Sequence, residues 1–376
     1  MLTLSSQPAE FAANHNLPAK QKKHLARRSS PDRSQEIRRS VQFAFLLLNA
    51  YIGVRFALWV QYFESQGSSP YIERPAGVGG WLPIVGLMNL RYFLVTHHIP
   101  AIHPSAMVLI CVFVLCSLLV KKSFCSWLCP IGTVSEYLWK LGRKLFRRSF
   151  SVPLWLDLGL RSIKYLLLAF FLFIILTMTA QELGDFLASP FAIVADVKML
   201  DFFRDIGPLG IAVLAALIAF SVLIQNSWCR YLCPYGALMG IVSFVSPVKI
   251  RRDAQACIDC GKCNKACPSH LPVESLVQIR SVECTGCMEC IAVCPAESAL
   301  QLSLAPHRSR TSDGPGAEVL AARWRHRALK PQVVAAVLAL VFFGLIGAAR
   351  LTGHWQTNIP REIYMQLVPN TDNYGH

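Results

Sequence analysis

The sequence predicts an α-helical polytopic membrane protein with about five transmembrane helices and a small α+β domain inserted before the last of them. The chain of 376 residues is 53% hydrophobic and only 16% charged. Five apolar runs approach the roughly 20 residues that cross a bilayer as a helix, and a cysteine-rich segment separates the fourth run from the fifth. The five runs are Val41–Phe63, Ser105–Val120, Tyr165–Ala180, Gly210–Ile224 and Val333–Leu351.

Basic residues predict which side of the membrane each loop occupies. Segments 1–40, 121–164 and 228–331 carry 8, 9 and 13 Lys and Arg residues, whereas segments 64–104, 181–207 and 350–376 carry two each. Because basic loops stay on the cytoplasmic side, the N-terminus is expected inside and the C-terminus outside. The net charge of +15 then follows from topology and from attraction to anionic membrane lipid. Nucleic acid is not expected as a partner.

A doubled cysteine motif lies in the inserted segment. Between Cys257 and Pro295 the chain carries C-x2-C-x2-C-x3-C-P twice, 27 residues apart. This is the spacing of bacterial ferredoxins with two [4Fe–4S] clusters, in which the fourth cysteine of each run ligates the other cluster. The inserted domain is therefore predicted to be a bacterial 2[4Fe–4S] ferredoxin domain. Cluster one would take Cys257, Cys260, Cys263 and Cys294, and cluster two would take Cys284, Cys287, Cys290 and Cys267.

Zinc is the main alternative for these cysteines, since C-x2-C pairs also hold zinc. A zinc site needs only four ligands, and it gives no reason for a third cysteine two residues on or for the proline after each run. Iron–sulfur clusters are therefore favoured. A disulfide framework is disfavoured by the predicted cytoplasmic location.

A second repeat lies at the ends of two apolar runs. Residues 123–132 read SFCSWLCPIG and residues 227–236 read SWCRYLCPYG, with an offset of 104 residues. Cysteines four residues apart share one face of a helix, so the two pairs are predicted to form one site of four thiolates. Such a site suits zinc or an iron–sulfur centre. Dithiol or disulfide pairs, contact with another cofactor, and simple packing of small side chains at helix ends are open alternatives. The four residues of this possible third metal or redox site are Cys125, Cys129, Cys229 and Cys233.

These motifs together resemble the NosR/NapH/CcoG group of membrane-bound polyferredoxins, and in particular the C-terminal membrane-plus-ferredoxin half of NosR. The likeness is carried by KKSFCSWLCPIGTVSE (121–136), WCRYLCPYGALMG (228–240) and the paired runs at 257–295. The resemblance implies electron transfer between the quinone pool, cytoplasmic clusters and a partner on the outer side of the membrane. The resemblance also implies a role in nitrous oxide reduction, in periplasmic nitrate reduction or in copper handling during the assembly of cytochrome oxidase.

The expected organisation has six parts. They are a basic N-terminal arm (1–40), a four-helix membrane region with both C-x3-C-P repeats (41–247), the ferredoxin domain (248–305), a basic linker (306–331), the fifth helix (332–352) and an outer tail (353–376).

The expected function is that of a bacterial inner-membrane electron carrier with its clusters facing the cytoplasm. It would connect quinol or a cytoplasmic donor to an outer-side redox protein of a NosR/NapH-like reductase system. No general base, nucleophile or nucleotide-binding loop is recognisable, so no catalytic residue is predicted, and the chain is expected to be a subunit of an oxidoreductase system. The alternative is a copper reductase, assembly factor or redox sensor that uses the C-x3-C-P thiols.

Overall fold

The computed structural model describes residues 26–29, 31–147, 152–304 and 328–374. Most of the basic arm, including Lys20, Lys22 and Lys23, and most of the basic linker lie outside these residues. The helices within them are α1 (Ser34–Glu64), α2 (Pro83–Thr96), α3 (Pro104–Leu119), α4 (Pro130–Phe146), α5 (Leu154–Thr177), α6 (Ala180–Ala188), α7 (Pro190–Ile193), α8 (Ala195–Arg204), α9 (Pro208–Leu223), α10 (Pro234–Val245), α11 (Lys262–Ala266), α12 (Glu289–Ala292), α13 (Pro331–Leu351) and α14 (Arg361–Leu367).

Three described helices, α1, α5 and α13, are long and apolar enough to cross a membrane. The predicted fourth run forms α9, which together with α8 would make a further span only as a pair bent by 86°. The predicted second run forms α3, whose 16 residues are fewer than the roughly 20 that a bilayer requires. Helices α2 and α10 are also apolar but shorter still, and the hydropathy pattern did not separate them from loops.

Helix α3 lies at the centre of the membrane region. Helices α2, α10 and α13 all pack against it, and Ile110, Val112 and Cys116 on it are fully buried. Helix α9 has the opposite character, because large apolar side chains such as Leu209 and Ile211 are exposed along it. An apolar helix that faces outward in this way is suited to contact with lipid.

The cysteine-rich domain is closed by a two-stranded antiparallel sheet. Strand β1 (Lys249–Arg252) pairs with β2 (Leu300–Ser303) so that Lys249 lies opposite Ser303. After the linker the chain returns to the same edge, where the amide of Leu329 donates to the carbonyl of Leu302 at 2.7 Å. Helix α13 begins two residues later. The domain is therefore joined to the helices on both sides at one place.

A buried polar cluster ties together the loops at the N-terminal end of α3. Arg74 donates to Asp196 and to Nδ1 of His103, the latter at 2.9 Å. Because arginine only donates, Nδ1 accepts, and Nε2 carries the proton that it donates to the carbonyl of Ala192 at 2.9 Å. Burial and the charge of Arg74 lower the pKa of His103 to about 4. Both ring nitrogens are thus occupied within the protein, and the imidazole is neutral at physiological pH.

Candidate iron–sulfur centres

The eight ferredoxin-type cysteines line two separate cavities. The first is lined by Cys257, Cys260, Cys263 and Cys294, and the second by Cys267, Cys284, Cys287 and Cys290. Each cavity combines three cysteines of one run with the fourth cysteine of the other run. The structure therefore brings together the same two sets of four thiols that the spacing predicts.

The two sets differ in exposure. All four cysteines of the second set are buried, whereas Cys260 of the first set is exposed and Cys257 is only partly buried. Burial raises the pKa of Cys287 to about 12, and the charge of Arg38 acts against that rise. Four buried thiols side by side are costly to ionise without positive charge, so the second set fits a bound iron–sulfur cluster, whose iron would supply that charge. The amide of Leu271 donates to Sγ of Cys267 at 3.4 Å, a contact that tunes such clusters.

The C-x3-C-P repeats form two matching π-helical turns, Phe124–Leu128 and Trp228–Leu232. Each turn closes with a backbone hydrogen bond of 3.0 Å across five residues, from the amide of Cys129 to the carbonyl of Phe124 and from that of Cys233 to that of Trp228. Proline then begins the next helix, since its fixed φ suits the first helical position. The prediction that each cysteine pair lies on one face of an α-helix is therefore wrong for the local backbone, which forms a wider π-helical turn.

The thiols of the two turns nevertheless influence one another's ionisation, and Cys125 and Cys229 line the same cavity. Burial raises the pKa of Cys129 to about 12, with further rises from the charges of Cys125 and Cys233. Burial likewise raises the pKa of Cys229, and Cys233, Cys129 and Cys125 add to that rise. The amide of Gly236 donates to Sγ of Cys233 at 3.4 Å, so the start of α10 points a backbone donor at this site. Among the described residues, no three His, Cys, Asp or Glu side chains form a site for a single metal ion.

The glycine three residues after each second cysteine lets the new helix approach the preceding turn. A β-carbon on Gly132 would lie 2.3 Å from the carbonyl oxygen of Cys125, and one on Gly236 would lie 3.1 Å from that of Cys229. We expect Gly132→Ala to lower the free energy of unfolding by about 2–3 kcal/mol, because overpacking against backbone cannot be relieved by a rotamer change. Gly236→Ala is expected to cost under about 1 kcal/mol, since alanine favours helix. Denaturant titrations in detergent test this, and equal losses in the two variants would contradict it.

The loop of the second set rests directly on the first C-x3-C turn. The indole Nε1 of Trp127 donates to the carbonyl of Gly286 at 3.3 Å, and Oγ of Ser126 donates to that of Thr285 at 2.7 Å. Thr285 and Gly286 lie between Cys284 and Cys287, so the thiols of the second set are neighbours of the four-cysteine site. Among the described residues, those that line the cavity of the first set all belong to the inserted domain.

Buried ion pairs hold this contact in place. Nζ of Lys164 on α5 lies 2.6 Å from the carboxylate of Glu283, which precedes Cys284 in the chain. Arg38 on α1 lies 2.7 Å from Glu136 and 2.9 Å from Glu289. Burial would raise the pKa of Glu136, but the hydrogen bond and charge of Arg38 outweigh it and lower that pKa to about 2. Two of these pairs join α5 and α1 to the cysteine-rich domain, and the pair of Arg38 with Glu136 joins α1 to α4.

A cavity of about 210 Å³ is lined by cysteines of both the four-cysteine site and the second ferredoxin set, namely Cys125, Cys229 and Cys287. Its basic side chains outnumber its acidic ones. The basic side chains are those of Arg38, Arg39, Lys122, Lys140, Arg143 and Arg230, and the acidic ones are those of Glu136, Glu283 and Glu289.

Comparison with protein families locates both motif pairs. A family model described as a 4Fe-4S binding domain matches residues 102–149 and again residues 206–253. The two matches are 104 residues apart, which is the offset of the C-x3-C-P repeat. A model described as a 4Fe-4S dicluster domain matches residues 249–302, the segment with the eight ferredoxin-type cysteines.

Among curated proteins, the electron transport protein YccM of Escherichia coli K12 is 48% identical over 339 residues, covering 90% of this chain and 91% of YccM. The ferredoxin-type protein NapH of the same organism is 26% identical over 69% of this chain and 85% of NapH. The chain belongs to the NosR/NapH-type family. The regulatory protein NosR of Pseudomonas aeruginosa is 31% identical over 44% of this chain and 23% of NosR. No solved structure matches. The apolar helices and these relatives indicate a membrane protein.

The NosR/NapH-type cysteine motifs were visible in the sequence, but the charged residues around them were not assigned to the site. Lys122 lies two residues before the first turn and is buried, and Lys164 is fully buried beside Glu283. The position of Lys164 at the edge of an apolar run was the available signal. A lysine is costly to bury there, so its burial indicates an acidic partner. The partner, Glu283, is 119 residues away, so local sequence could not name it.

Proposed function

We propose that this protein is the electron-transfer subunit of a membrane oxidoreductase system. Electrons would pass between cluster one, cluster two and a third iron–sulfur centre at the C-x3-C-P cysteines. The observation that carries the proposal is the contact of Trp127 and Ser126 with the carbonyls of Gly286 and Thr285. This contact supports a short path for electrons between the second ferredoxin set and the four-cysteine site.

The thiol sets would have separate roles in this relay. Cluster one would be held by Cys257, Cys260, Cys263 and Cys294, cluster two by Cys284, Cys287, Cys290 and Cys267, and the third centre by Cys125, Cys129, Cys229 and Cys233. Iron–sulfur clusters supply one-electron chemistry, and the chain holds them, sets their potentials and shields them from water. The exposure of Cys260 makes cluster one the point at which a soluble redox partner can approach.

The proposed setting is the bacterial inner membrane with the clusters on the cytoplasmic side. The concentration of Lys and Arg in segments 1–40, 121–164 and 228–331 supports that orientation. Quinol or a cytoplasmic protein would be the donor, and an outer-side redox protein of a reductase system would be the partner. The similarity to NapH and NosR supports this assignment of partners.

The test is iron and sulfide analysis of anaerobically purified full-length protein, combined with electron paramagnetic resonance during a redox titration. Three cubane clusters correspond to about 12 iron atoms per chain and two to about eight. The variant with serine replacing all four C-x3-C-P cysteines is expected to lose about four iron atoms and one redox signal, while the two ferredoxin signals remain.

The same variant separates electron transfer from copper handling. Retention of all iron together with loss of copper binding would overturn the third centre and favour a copper reductase or assembly factor. Protein that holds no iron–sulfur signal at all would overturn the whole proposal.

A further inference from the structure

Two adjacent lysines, Lys121 and Lys122, are buried between the second ferredoxin set and the four-cysteine site. Lys121 is 0% exposed and Lys122 is 2% exposed. Lys121 adopts a left-handed backbone conformation with φ of 60°, which is uncommon for a residue with a side chain. The ammonium groups of the two lysines act on different sets of thiols.

Lys122 faces the four-cysteine site. Its Nζ lies 3.6 Å and 3.7 Å from the positions that β-carbons on Gly236 and Gly240 would occupy, so it lies against the face of α10 that carries these two glycines. Burial raises the pKa of Cys125 to about 11, and the charge of Lys122 is the strongest influence in the opposite direction. Lys122 acts in the same direction on Cys229 and Cys233.

Lys121 faces the second ferredoxin set. Its Nζ donates to the carbonyl of Ser281 at 3.0 Å, three residues before Cys284, and its charge interacts with that of Cys284. Its backbone amide is fixed by Oγ of Ser246 at 3.0 Å. Gln225 and Asn226 stand at the equivalent positions of the second repeat, so both cations come from the first repeat.

Other basic side chains also act on these thiols, among them those of Lys164, Lys249 and Arg230. Lys164 also acts on Cys125 and Cys233, but it forms a salt bridge with Glu283. The carboxylate of Glu283 accepts hydrogen bonds from Lys164 and Tyr165. Among the described residues Lys122 forms no salt bridge, but its charge also acts on Glu283 and lowers the pKa of that carboxyl, ahead of the charge of Lys164. Lys249 also interacts with Cys284, and Arg230 acts on Cys267.

We propose that Lys122 raises the reduction potential of the third centre and that Lys121 separately raises the potential of cluster two. The inference rests on the proposed function. Reduction adds one negative charge to a cluster, and a fixed buried cation stabilises the reduced form more than the oxidised form. Both lysines are positioning residues, since they act through the charge they place beside the thiolates. Because the two side chains face different sets of thiols, one short segment sets the potential of the third centre and that of cluster two separately.

The experiment compares Lys122→Met with Lys121→Met in the full-length protein, with midpoint potentials read from redox titrations followed by electron paramagnetic resonance. Lys122→Met is expected to lower the midpoint potential of the third centre by at least about 59 mV, which is a tenfold change in the equilibrium constant of a one-electron couple. The potential of cluster two is expected to stay unchanged. Lys121→Met is expected to lower the potential of cluster two and to leave the third centre unchanged. Lys122→Arg should restore most of the potential, because it restores the charge.

Iron content is measured for every variant, and Lys122→Gln serves as a second neutral variant if Lys122→Met loses iron. Equal shifts of both centres in either variant, or no shift with the iron retained, would overturn the inference. A wild-type protein with two cluster signals only would overturn the proposed third centre and the role of Lys122, while the effect of Lys121→Met on cluster two would still decide the other half.

Discussion

The Cys294→Ser variant is expected to lose or alter cluster one, although Cys294 belongs to the second cysteine run. The reason is spatial, because Cys294 lines the same cavity as Cys257, Cys260 and Cys263. The Cys267→Ser variant is expected to damage cluster two in the same way. Each loss corresponds to about four iron atoms per chain. Iron analysis and electron paramagnetic resonance of the anaerobically purified variants measure the effect.

The matched control is Cys111→Ser, since Cys111 lies on α3 outside all three thiol sets. It is expected to retain every cluster signal. If Cys294→Ser instead removed the signal that Cys284→Ser removes, each run would hold its own cluster, and the crossed assignment would be wrong.

Arg38→Met is expected to destabilise the docking of the cysteine-rich domain by about 3–5 kcal/mol, the usual cost of removing one partner from a buried ion pair. The guanidinium is 1% exposed, and it donates to both Glu136 and Glu289 and to the carbonyl of Ser126. Without it, the two carboxylates keep only Lys140, which lies 2.5 Å from Glu136 and 3.9 Å from Glu289. Denaturant titration in detergent micelles measures the loss.

Arg39→Met is the control for this experiment, because Arg39 is the next residue along α1 and is exposed. A surface charge of this kind usually contributes less than about 1 kcal/mol. Comparable losses in the two variants would show that the Arg38 network does not hold the domain.

The sequence was most informative where the chemistry is local. The grouping of the eight ferredoxin-type cysteines follows from spacings of two and three residues, and the 104-residue offset of the second repeat was visible without a structure. The backbone conformation of that repeat was not visible. Two cysteines four residues apart can lie in an α-helical or in a π-helical turn, and the sequence does not distinguish the two. The widened turn at Phe124–Leu128 is fixed by contacts with residues more than 150 positions away, such as Thr285 and Gly286.

The membrane helices were predicted less well than the cysteines for a related reason. A hydropathy window measures the length of an apolar run, whereas α3 is apolar because other helices surround it. Its 16 residues were therefore counted as a span on composition alone. The short helices α2 and α10 fall below the length that such a window detects, and α10 contributes Gly236 and Gly240 to the four-cysteine site.

The pairing of Lys249 with Ser303 has a consequence for how such a protein can arise and change. The first strand of the inserted domain follows the helical region, and the last strand of the domain pairs with the first. The two ends of the domain are therefore adjacent. A module of this kind can be inserted into a helical protein, or removed from it, with little cost in loop closure. Membrane and ferredoxin parts can then evolve as separate genes or as one. The contacts of Trp127 and Glu283 cross between the two parts, so changes on one side of this surface affect the other.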